Sequence, residues 1–332
     1  MKQDITVGLY VDDLFVTAKE FRLIEELHIN LIKRYGGVKL NEGPTLNFLG
    51  MNFDFGSDKK VRISIDINDI VKGIDKTHTS PAGLNLFNAR DDLPPIDGFE
   101  REKFHSTVAK LLYIAKRTRG DILLPVNYLC SRVLCPNQDD LVKLERILRY
   151  LNATKDMVLE LTMLTNEDDS VDLNFYVDAS YITHSDIKSH SGVSASIGSG
   201  SLYVASTKQK CMSKSSTEAE LIAVTDYIGE ALQLKGVLED ITGRKINLAI
   251  HQDNQATMQI IKNGHTSGKS KQVKVRIEWI KERVDLGYFS SKYCSTKVMP
   301  PDGHTKPKQS EDFVLFRNGL GINYFEMFKE RV

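Results

Sequence analysis

The spacing of apolar residues in the first third of the chain predicts a small sheet with one helix. Residues 5–17 contain two apolar runs interrupted by Asp12 and Asp13, a pattern typical of a β-hairpin with an acidic turn. Helical spacing follows up to Gly36-Gly37, and residues 46–55 and 61–65 have the composition of half-buried strands. The Pro-, Gly-, Asn- and Asp-rich stretch at residues 81–95 predicts a linker.

The middle of the chain has only helical spacing. Apolar stripes at residues 104–115, 122–133 and 141–151 predict three helices, separated by short breaks at Gly120 and at Pro136-Asn137. This pattern indicates a small helical module.

After residue 156 apolar and polar residues again alternate with the two-residue period of β-strands. We predict strands at residues 157–164, 171–180, 191–198, 201–207, 246–253 and 288–294, with a long helix at about 216–240 and shorter ones at 256–262 and 273–286. Strands followed by alternating helices and strands indicate an α/β sheet with helices packed on it. The patterns together divide the chain into residues 1–80, 81–156 and 157–332.

Composition is that of a folded protein: 41% of residues are hydrophobic and the net charge is zero. No apolar run approaches the length of a membrane span, and no signal-peptide pattern opens the sequence. The four scattered cysteines lack a zinc-site pattern, which favours free thiols in a reducing compartment. We therefore expect an intracellular protein that does not engage a membrane.

The zero net charge conceals a segregation of charge. Residues 167–186 are mostly acidic, and residues 262–283 are strongly basic. An acidic cluster beside a basic stripe suits a metal site next to a polyanion groove. Taken alone, the charge pattern favours two solvated surfaces with no partner.

Four acidic residues occupy positions where sites form in α/β sheets. Asp178 and Asp253 end predicted strands, Glu220 lies in the first turns of the long helix, and Asp302 follows Pro300-Pro301. Singly, each has an ordinary interpretation as a strand-end, helix-start, capping or turn acid. In this order they indicate two-metal phosphodiester hydrolysis, which needs several carboxylates from separate rigid elements at one point.

These residues stand in motifs that resemble a known family. The run KQKCMSKSSTEAELIAVTD at residues 208–226 closely resembles the RNase H segment of copia-type retrotransposon Pol polyproteins. YVDASY, SHSG, QDNQA and TKP fit that family in order, and LLYIAKRTRGDI resembles the helical connection that precedes its RNase H domain. LYVDDLFVTAK resembles the YxDD turn of the reverse transcriptase palm, and NFLGMNF resembles the strand after it.

The resemblance implies an RNase H-like mixed sheet with packed helices at residues 157–332. Before it would lie a helical connection at 81–156 and the C-terminal part of a truncated palm at 1–80. It implies that Asp178, Glu220, Asp253 and Asp302 hold two Mg²⁺ ions, with Mn²⁺ as an alternative. Glu218 competes with Glu220 for the helix position, and the acid followed by Leu221 favours Glu220.

In the palm, Asp12 and Asp13 would be the paired metal-binding acids. The implied substrate is the RNA strand of an RNA–DNA hybrid, and other Pol polyprotein segments are candidate partners, in the cytoplasm, the nucleus or a virus-like particle. The residues expected to contact nucleic acid are Lys208, Lys210, Lys214, Lys269, Lys271, Lys274 and Arg276.

Departures from the family pattern keep two alternatives open. Gln272 replaces a histidine, Gly120 replaces a proline, and Gly303 follows Asp302. One alternative is an inactive remnant that binds nucleic acid without cutting it, and the other is a fragment that needs the rest of the polymerase. No earlier strand offers the palm's third carboxylate, so we expect no DNA synthesis by this chain alone. His304 is either a proton shuttle or a solvated turn residue.

Overall fold

The computed structural model describes residues 5–264, 271–296 and 299–324. At its N-terminal end, β1 (Ile5–Tyr10) and β2 (Asp13–Ala18) form an antiparallel hairpin in which Tyr10 pairs with Asp13. The turn therefore consists of Val11 and Asp12, and Asp13 begins the second strand. Helix α1 (Phe21–Tyr35) follows and has no buried residue.

A second sheet joins strands that are far apart in sequence. Its members are β3 (Thr45–Phe48), β4 (Met51–Phe55), β5 (Val61–Ile65), β6 (Met157–Leu161) and β12 (Ile322–Tyr324), in the antiparallel order β12-β6-β5-β4-β3. The strand predicted at residues 157–164 is thus β6, which pairs with β5 from the N-terminal segment and with β12 and is not a strand of the sheet that follows it. The domain limits at residues 80 and 156 stay a prediction.

Helices cover the second sheet and form the first hydrophobic core. They are α2 (Asn68–Val71), α3 (Gly98–Arg117), α4 (Leu123–Cys130) and α5 (Gln138–Ala153). Helix α5 begins at a capping box: the Asn137 side chain accepts a hydrogen bond from the Asp140 backbone N–H, and the Asp140 carboxylate accepts one from the Asn137 backbone N–H.

The third sheet carries the RNase H-like motifs. Its strands are β7 (Val171–Ser180), β8 (His190–Ser196), β9 (Tyr203–Lys208), β10 (Ile246–Gln252) and β11 (Ser290–Tyr293). The order is β11-β10-β7-β8-β9: β7, β8 and β9 form an antiparallel meander, β10 is parallel to β7, and β11 is parallel to β10. This strand order confirms the expected RNase H-like mixed sheet.

Helix α6 (Ser216–Thr242) packs on this sheet, and α7 (Gln255–Asn263), α8 (Lys271–Asp285) and α9 (Ser310–Gly319) follow it in sequence. Along β7, buried residues alternate with half-buried ones until Tyr176, and from Val177 to Ser180 every residue is buried. The end of the central strand is therefore covered on both faces.

Gly192 explains how the second face is covered. It lies opposite Asp178 in the ladder, and a Cβ added there would come within 2.7 Å of Thr305 Cγ2 and 2.8 Å of the Pro301 carbonyl oxygen. Only glycine leaves room for the 3-10 turn Pro300–His304 to lie across this strand. In the part of the chain that the structure describes, no helix is both long enough and apolar enough to cross a bilayer.

Candidate metal centre

Three of the four predicted carboxylates meet at one edge of the third sheet. Asp178 lies near the end of β7, Asp253 follows the last residue of β10, and Glu220 lies in the second turn of α6. Parallel neighbours β7 and β10 bring their carboxyl ends to the same edge, and α6 packs against both strands. One carboxylate oxygen from each residue lies within 4.8 Å of the other two. We call this group the carboxylate cluster.

The Asp178 side chain is buried, and its burial raises the pKa of the carboxyl to about 6. Lys306 and a hydrogen bond from Thr305 Oγ1, 2.5 Å from Asp178 Oδ2, oppose this rise. The negative charges of Asp302 and Asp253 add to it. The net shift means that the fold disfavours a negative charge at this position.

Glu220 behaves in the same way. Burial raises its pKa well above the usual range, and the charges of Asp178 and Asp253 raise it further. Buried carboxylates that lie close together need a compensating cation when they are ionised. Hard divalent ions prefer carboxylate oxygens. The chemistry of the cluster therefore fits a divalent metal ion.

The competing glutamate has another role. The Glu218 backbone N–H donates to Ser215 Oγ at 3.2 Å, and its carboxylate accepts from the Lys214 backbone N–H at 3.2 Å. Both contacts belong to the start of α6. The structure brings Glu220, and not Glu218, into the carboxylate cluster.

Asp302 lies beside the cluster without joining it among the described residues. It stands in the 3-10 turn Pro300–His304, where its carboxylate accepts hydrogen bonds from Lys306 Nζ at 3.0 Å and from Lys308 Nζ. Burial raises the pKa of Asp302, but the two lysines outweigh burial and hold the pKa below its ordinary value. Asp302 is close enough for its charge to raise the pKa of Asp178.

His304 is buried, which contradicts the prediction of a solvated turn residue. Its side chain is fully buried, its ring lies edge-on against Phe316 at 5.0 Å, and neither ring nitrogen has a hydrogen-bond partner among the described residues. Burial lowers its pKa to about 3. The prediction of a solvated turn residue was wrong because the turn faces inward, and the proton-shuttle role stays a prediction. Gly303 belongs to the same packing, since a Cβ there would meet the Phe316 ring at 2.5 Å.

Two side chains that the sequence analysis assigned no role contact the cluster. The Gln252 amide donates to Glu220 Oε2 at 3.1 Å, and Thr305 Oγ1 donates to Asp178. A polar residue at the buried end of an apolar strand was the available signal for Gln252. Thr305 stands in the TKP motif, but spacing alone does not show that it faces Asp178.

The N-terminal acids have different surroundings. Asp12 and Asp13 are both exposed at the tip of the β1–β2 hairpin. Among the residues placed by the structure, they do not form part of a group of three metal-ligating side chains. Their predicted role as polymerase ligands stays a prediction.

The predicted nucleic-acid contacts lie on two elements near α6. Lys208 ends β9 and pairs with Asp186 at 2.8 Å, while Lys210 and Lys214 are exposed in the loop before α6. Lys271 and Lys274 are exposed on α8, and Arg276 Nη1 binds Asp226 and Thr225 of α6, at 2.5 Å each. Lys269 lies outside the described residues.

Comparison with known proteins identifies relatives of this chain. It is 27% identical over 331 residues to the retrovirus-related Pol polyprotein from transposon TNT 1-94 of Nicotiana tabacum, covering 96% of this chain and 24% of that protein. It is 22% identical over 336 residues to the transposon Ty1-DR5 Gag-Pol polyprotein of Saccharomyces cerevisiae, covering 95% of this chain and 19% of that protein. The chain thus spans about a quarter or less of these relatives. They confirm the resemblance to copia-type Pol polyproteins.

No protein-family model matches the chain. Solved structures with local similarity include LC11-RNase H1, isolated from compost by a metagenomic approach, with 14% identity, a TM-score of 0.29, and coverage of 38% of this chain and 85% of that one. A foamy viral protease-reverse transcriptase in complex with an RNA/DNA hybrid has 14% identity, a TM-score of 0.47, and coverage of 92% and 37%.

Proposed function

We propose that residues 157–332 act as an RNase H-type endonuclease that hydrolyses the RNA strand of RNA–DNA hybrids. The observation that carries this proposal is the carboxylate cluster, in which Asp178, Glu220 and Asp253 come from three separate elements to within 4.8 Å of one another. Convergence of this kind matches the requirement of two-metal phosphodiester hydrolysis.

The residues that would hold the metal are the carboxylate cluster and, from its edge, Asp302. Their oxygens suit Mg²⁺, with Mn²⁺ as an alternative. When bound, a pair of such ions supplies an activated water and stabilises the leaving oxygen. The protein holds Asp178 in place through Thr305 and Glu220 through Gln252. Asp302 would reach the site by exchanging its lysine contacts for a metal ion.

Lysines supply the positive charge expected around a polyanion. Lys306 carries its ammonium at the cluster, where it lowers the pKa of Asp178, and half of its side chain is exposed. The exposed half of this side chain makes its ammonium available to a phosphate that approaches the cluster. Lys210, Lys214, Lys271 and Lys274 are exposed on the flanking elements. Phosphate contacts of this kind position a duplex without reading its bases, so we expect little sequence preference and a strong dependence on salt.

A cleavage assay tests the proposal. Purified full chain is incubated with Mg²⁺ and an RNA–DNA hybrid labelled on the RNA strand. We expect endonucleolytic products from the wild type and a loss of at least about 100-fold in rate for Asp178→Asn, since carboxylates that hold metal are seldom replaceable by amides.

Asp172→Asn is the matched control. Asp172 lies on the same strand, six residues earlier, where its carboxylate binds Asn166 and Asn247. Its substitution is expected to leave the rate unchanged. Equal cleavage by the wild type and Asp178→Asn would reject the proposal, because cutting would then come from elsewhere.

A second candidate function is hybrid binding without cleavage. The contacts that favour it are those of Asp302 with Lys306 and Lys308, which engage the fourth carboxylate. Salt-dependent hybrid binding by the wild type, with no turnover in Mg²⁺ or Mn²⁺, would select this candidate.

A further inference from the structure

Gln252 contacts the carboxylate of one cluster residue, Glu220, and the backbone of another, Asp253. It is the last residue of β10, its side chain is fully buried, and it immediately precedes Asp253. Its Nε2 donates to Glu220 Oε2 at 3.1 Å. Its Oε1 accepts from the backbone N–H of Asp253 at 2.8 Å and from that of Asn254 at 3.2 Å. One amide thus reaches both the helix acid and the backbone that carries the strand-end acid.

These contacts fix the orientation of the amide. Backbone N–H groups only donate, so the atom facing Asp253 and Asn254 must be the oxygen. The NH₂ group then faces α6, where Glu220 is the acceptor. A flipped amide would set donor against donor and leave the Glu220 carboxylate without this partner, in a buried place where unmade hydrogen bonds are expensive.

We propose that Gln252 is a positioning residue that sets the spacing between Glu220 and Asp253 for metal binding. The inference rests on the proposed metal-dependent function of the cluster. Glu220 belongs to a helix and Asp253 to a strand–helix connection, and Gln252 is a direct side-chain link from one to the other. Side chains that orient metal ligands in this way commonly change metal affinity about 10-fold to 100-fold when replaced.

Two substitutions separate the halves of the link. Gln252→Met keeps the length of the side chain and removes both hydrogen-bonding functions. Gln252→Glu keeps an oxygen that can accept from Asp253 and Asn254, but it replaces the donor to Glu220 with a like-charged group. If the donor to Glu220 matters for metal binding, both variants lose affinity, and Gln252→Glu loses at least as much as Gln252→Met.

The control is Asn247→Leu on the same strand. The Asn247 amide donates to Ser170 Oγ and Asp172 Oδ1, at the other end of β10. Five residues of strand place this position roughly 16 Å from Gln252. The control removes a side-chain amide from the same strand without touching the cluster.

The measurement is calorimetric titration of the full chain with Mn²⁺ alone, with no nucleic acid present. We expect the Kd for Mn²⁺ to rise about 10-fold or more in both Gln252 variants and to stay at the wild-type value in Asn247→Leu. Thermal unfolding in EDTA reports whether each variant is folded. In a hybrid-cleavage assay, we expect the Gln252 variants to need a higher Mn²⁺ concentration than the wild type for half-maximal kcat. Saturating Mn²⁺ should restore part of the lost rate, which it would not do after a general loss of folded protein.

The outcomes separate this inference from the proposed nuclease activity. A wild type that binds Mn²⁺ but does not cut, together with weakened binding in the Gln252 variants, supports the positioning role and rejects the nuclease. A wild type that cuts, with unchanged Mn²⁺ affinity and kcat in folded Gln252→Met, rejects the positioning role alone. If the wild type does not bind Mn²⁺, the positioning role of Gln252 is rejected.

Discussion

Two of the places where the described residues bury acidic side chains treat these side chains in opposite ways. The first is Asp121, after helix α3, whose side chain is completely buried. Arg119 binds both of its carboxylate oxygens, at 3.0 and 2.8 Å, and Tyr150 donates a third hydrogen bond at 2.5 Å. The same guanidinium also donates to Thr154. Each charge here has a partner, and the network ties the helical segments together.

The second place is the carboxylate cluster, where acids face acids. Burial raises the pKa values of Asp178 and Glu220, and the charges of neighbouring carboxylates raise both further. The nearest lysine contacts go to Asp302. An arrangement that costs stability and that Lys306 neutralises only in part is expected where a ligand supplies the missing charge. The comparison distinguishes an acid that stabilises the fold through its ion pair from acids that the fold places for binding a cation.

The largest expected effect is the loss of the structural pair. Asp121→Asn leaves the buried Arg119 guanidinium without a counterion, and removing one partner of a buried ion pair typically costs about 3–5 kcal/mol. We expect the free energy of unfolding, measured in urea, to fall by that amount.

A double-variant cycle sharpens this prediction. Arg119→Met combined with Asp121→Leu removes both charges, so the pair should lose less than the sum of the two single variants. If the two single losses of unfolding free energy add up to the loss in the double variant, the two side chains act independently. Asp121 would then not be stabilised by its pairing with Arg119.

The next effect has the opposite sign. In the absence of divalent metal, Asp178→Asn should stabilise the protein at pH 8, because the native pKa of about 6 exceeds the unfolded value near 3.9. A raised native pKa contributes stability below about pH 4, and that contribution is lost as the pH rises through about 6. The shift corresponds to roughly 3 kcal/mol at most.

Thermal unfolding in EDTA at pH 4 and at pH 8 measures this effect. The gain in Tm from Asp178→Asn should be present at pH 8 and nearly absent at pH 4, whereas Asp172→Asn should show no such difference. Adding Mg²⁺ at pH 8 should stabilise the wild type more than the variant. A Tm change that is equal at the two pH values would mean that charge at Asp178 is not the cause.

The sequence predicted the order of elements that builds the cluster, because each step is local. Apolar alternation predicted strands β7 and β10, and helical spacing predicted helix α6. The acids could be assigned to the ends of these elements from their positions in the sequence. The family motifs added the expectation of an RNase H-like mixed sheet with packed helices. The acids at Asp178, Glu220 and Asp253 therefore converge as the chain pattern predicted.

What the sequence did not predict depends on contacts between distant segments. Strand β6 pairs with β5, about a hundred residues earlier, and nothing in its own five residues selects that partner. Asp302 meets Lys306 and Lys308 because the turn folds back on itself, and His304 is buried because Phe316 covers it. Side-chain direction in a turn is set by packing, which residue spacing does not contain.

The smallest expected effect concerns the third set of acids, Asp12 and Asp13. Both are exposed on a two-stranded hairpin, so water already solvates their charges and no buried partner depends on them. The double variant Asp12→Asn/Asp13→Asn should change the free energy of unfolding by no more than about 0.5 kcal/mol. Its Mn²⁺ titration should match that of the wild type in both affinity and stoichiometry, while Glu220→Gln abolishes tight binding under the same conditions. A drop in Mn²⁺ stoichiometry in the double variant would show that the exposed acids on the hairpin also bind metal. Burial and convergence of carboxylates would then no longer be the features that identify the metal centre of this chain.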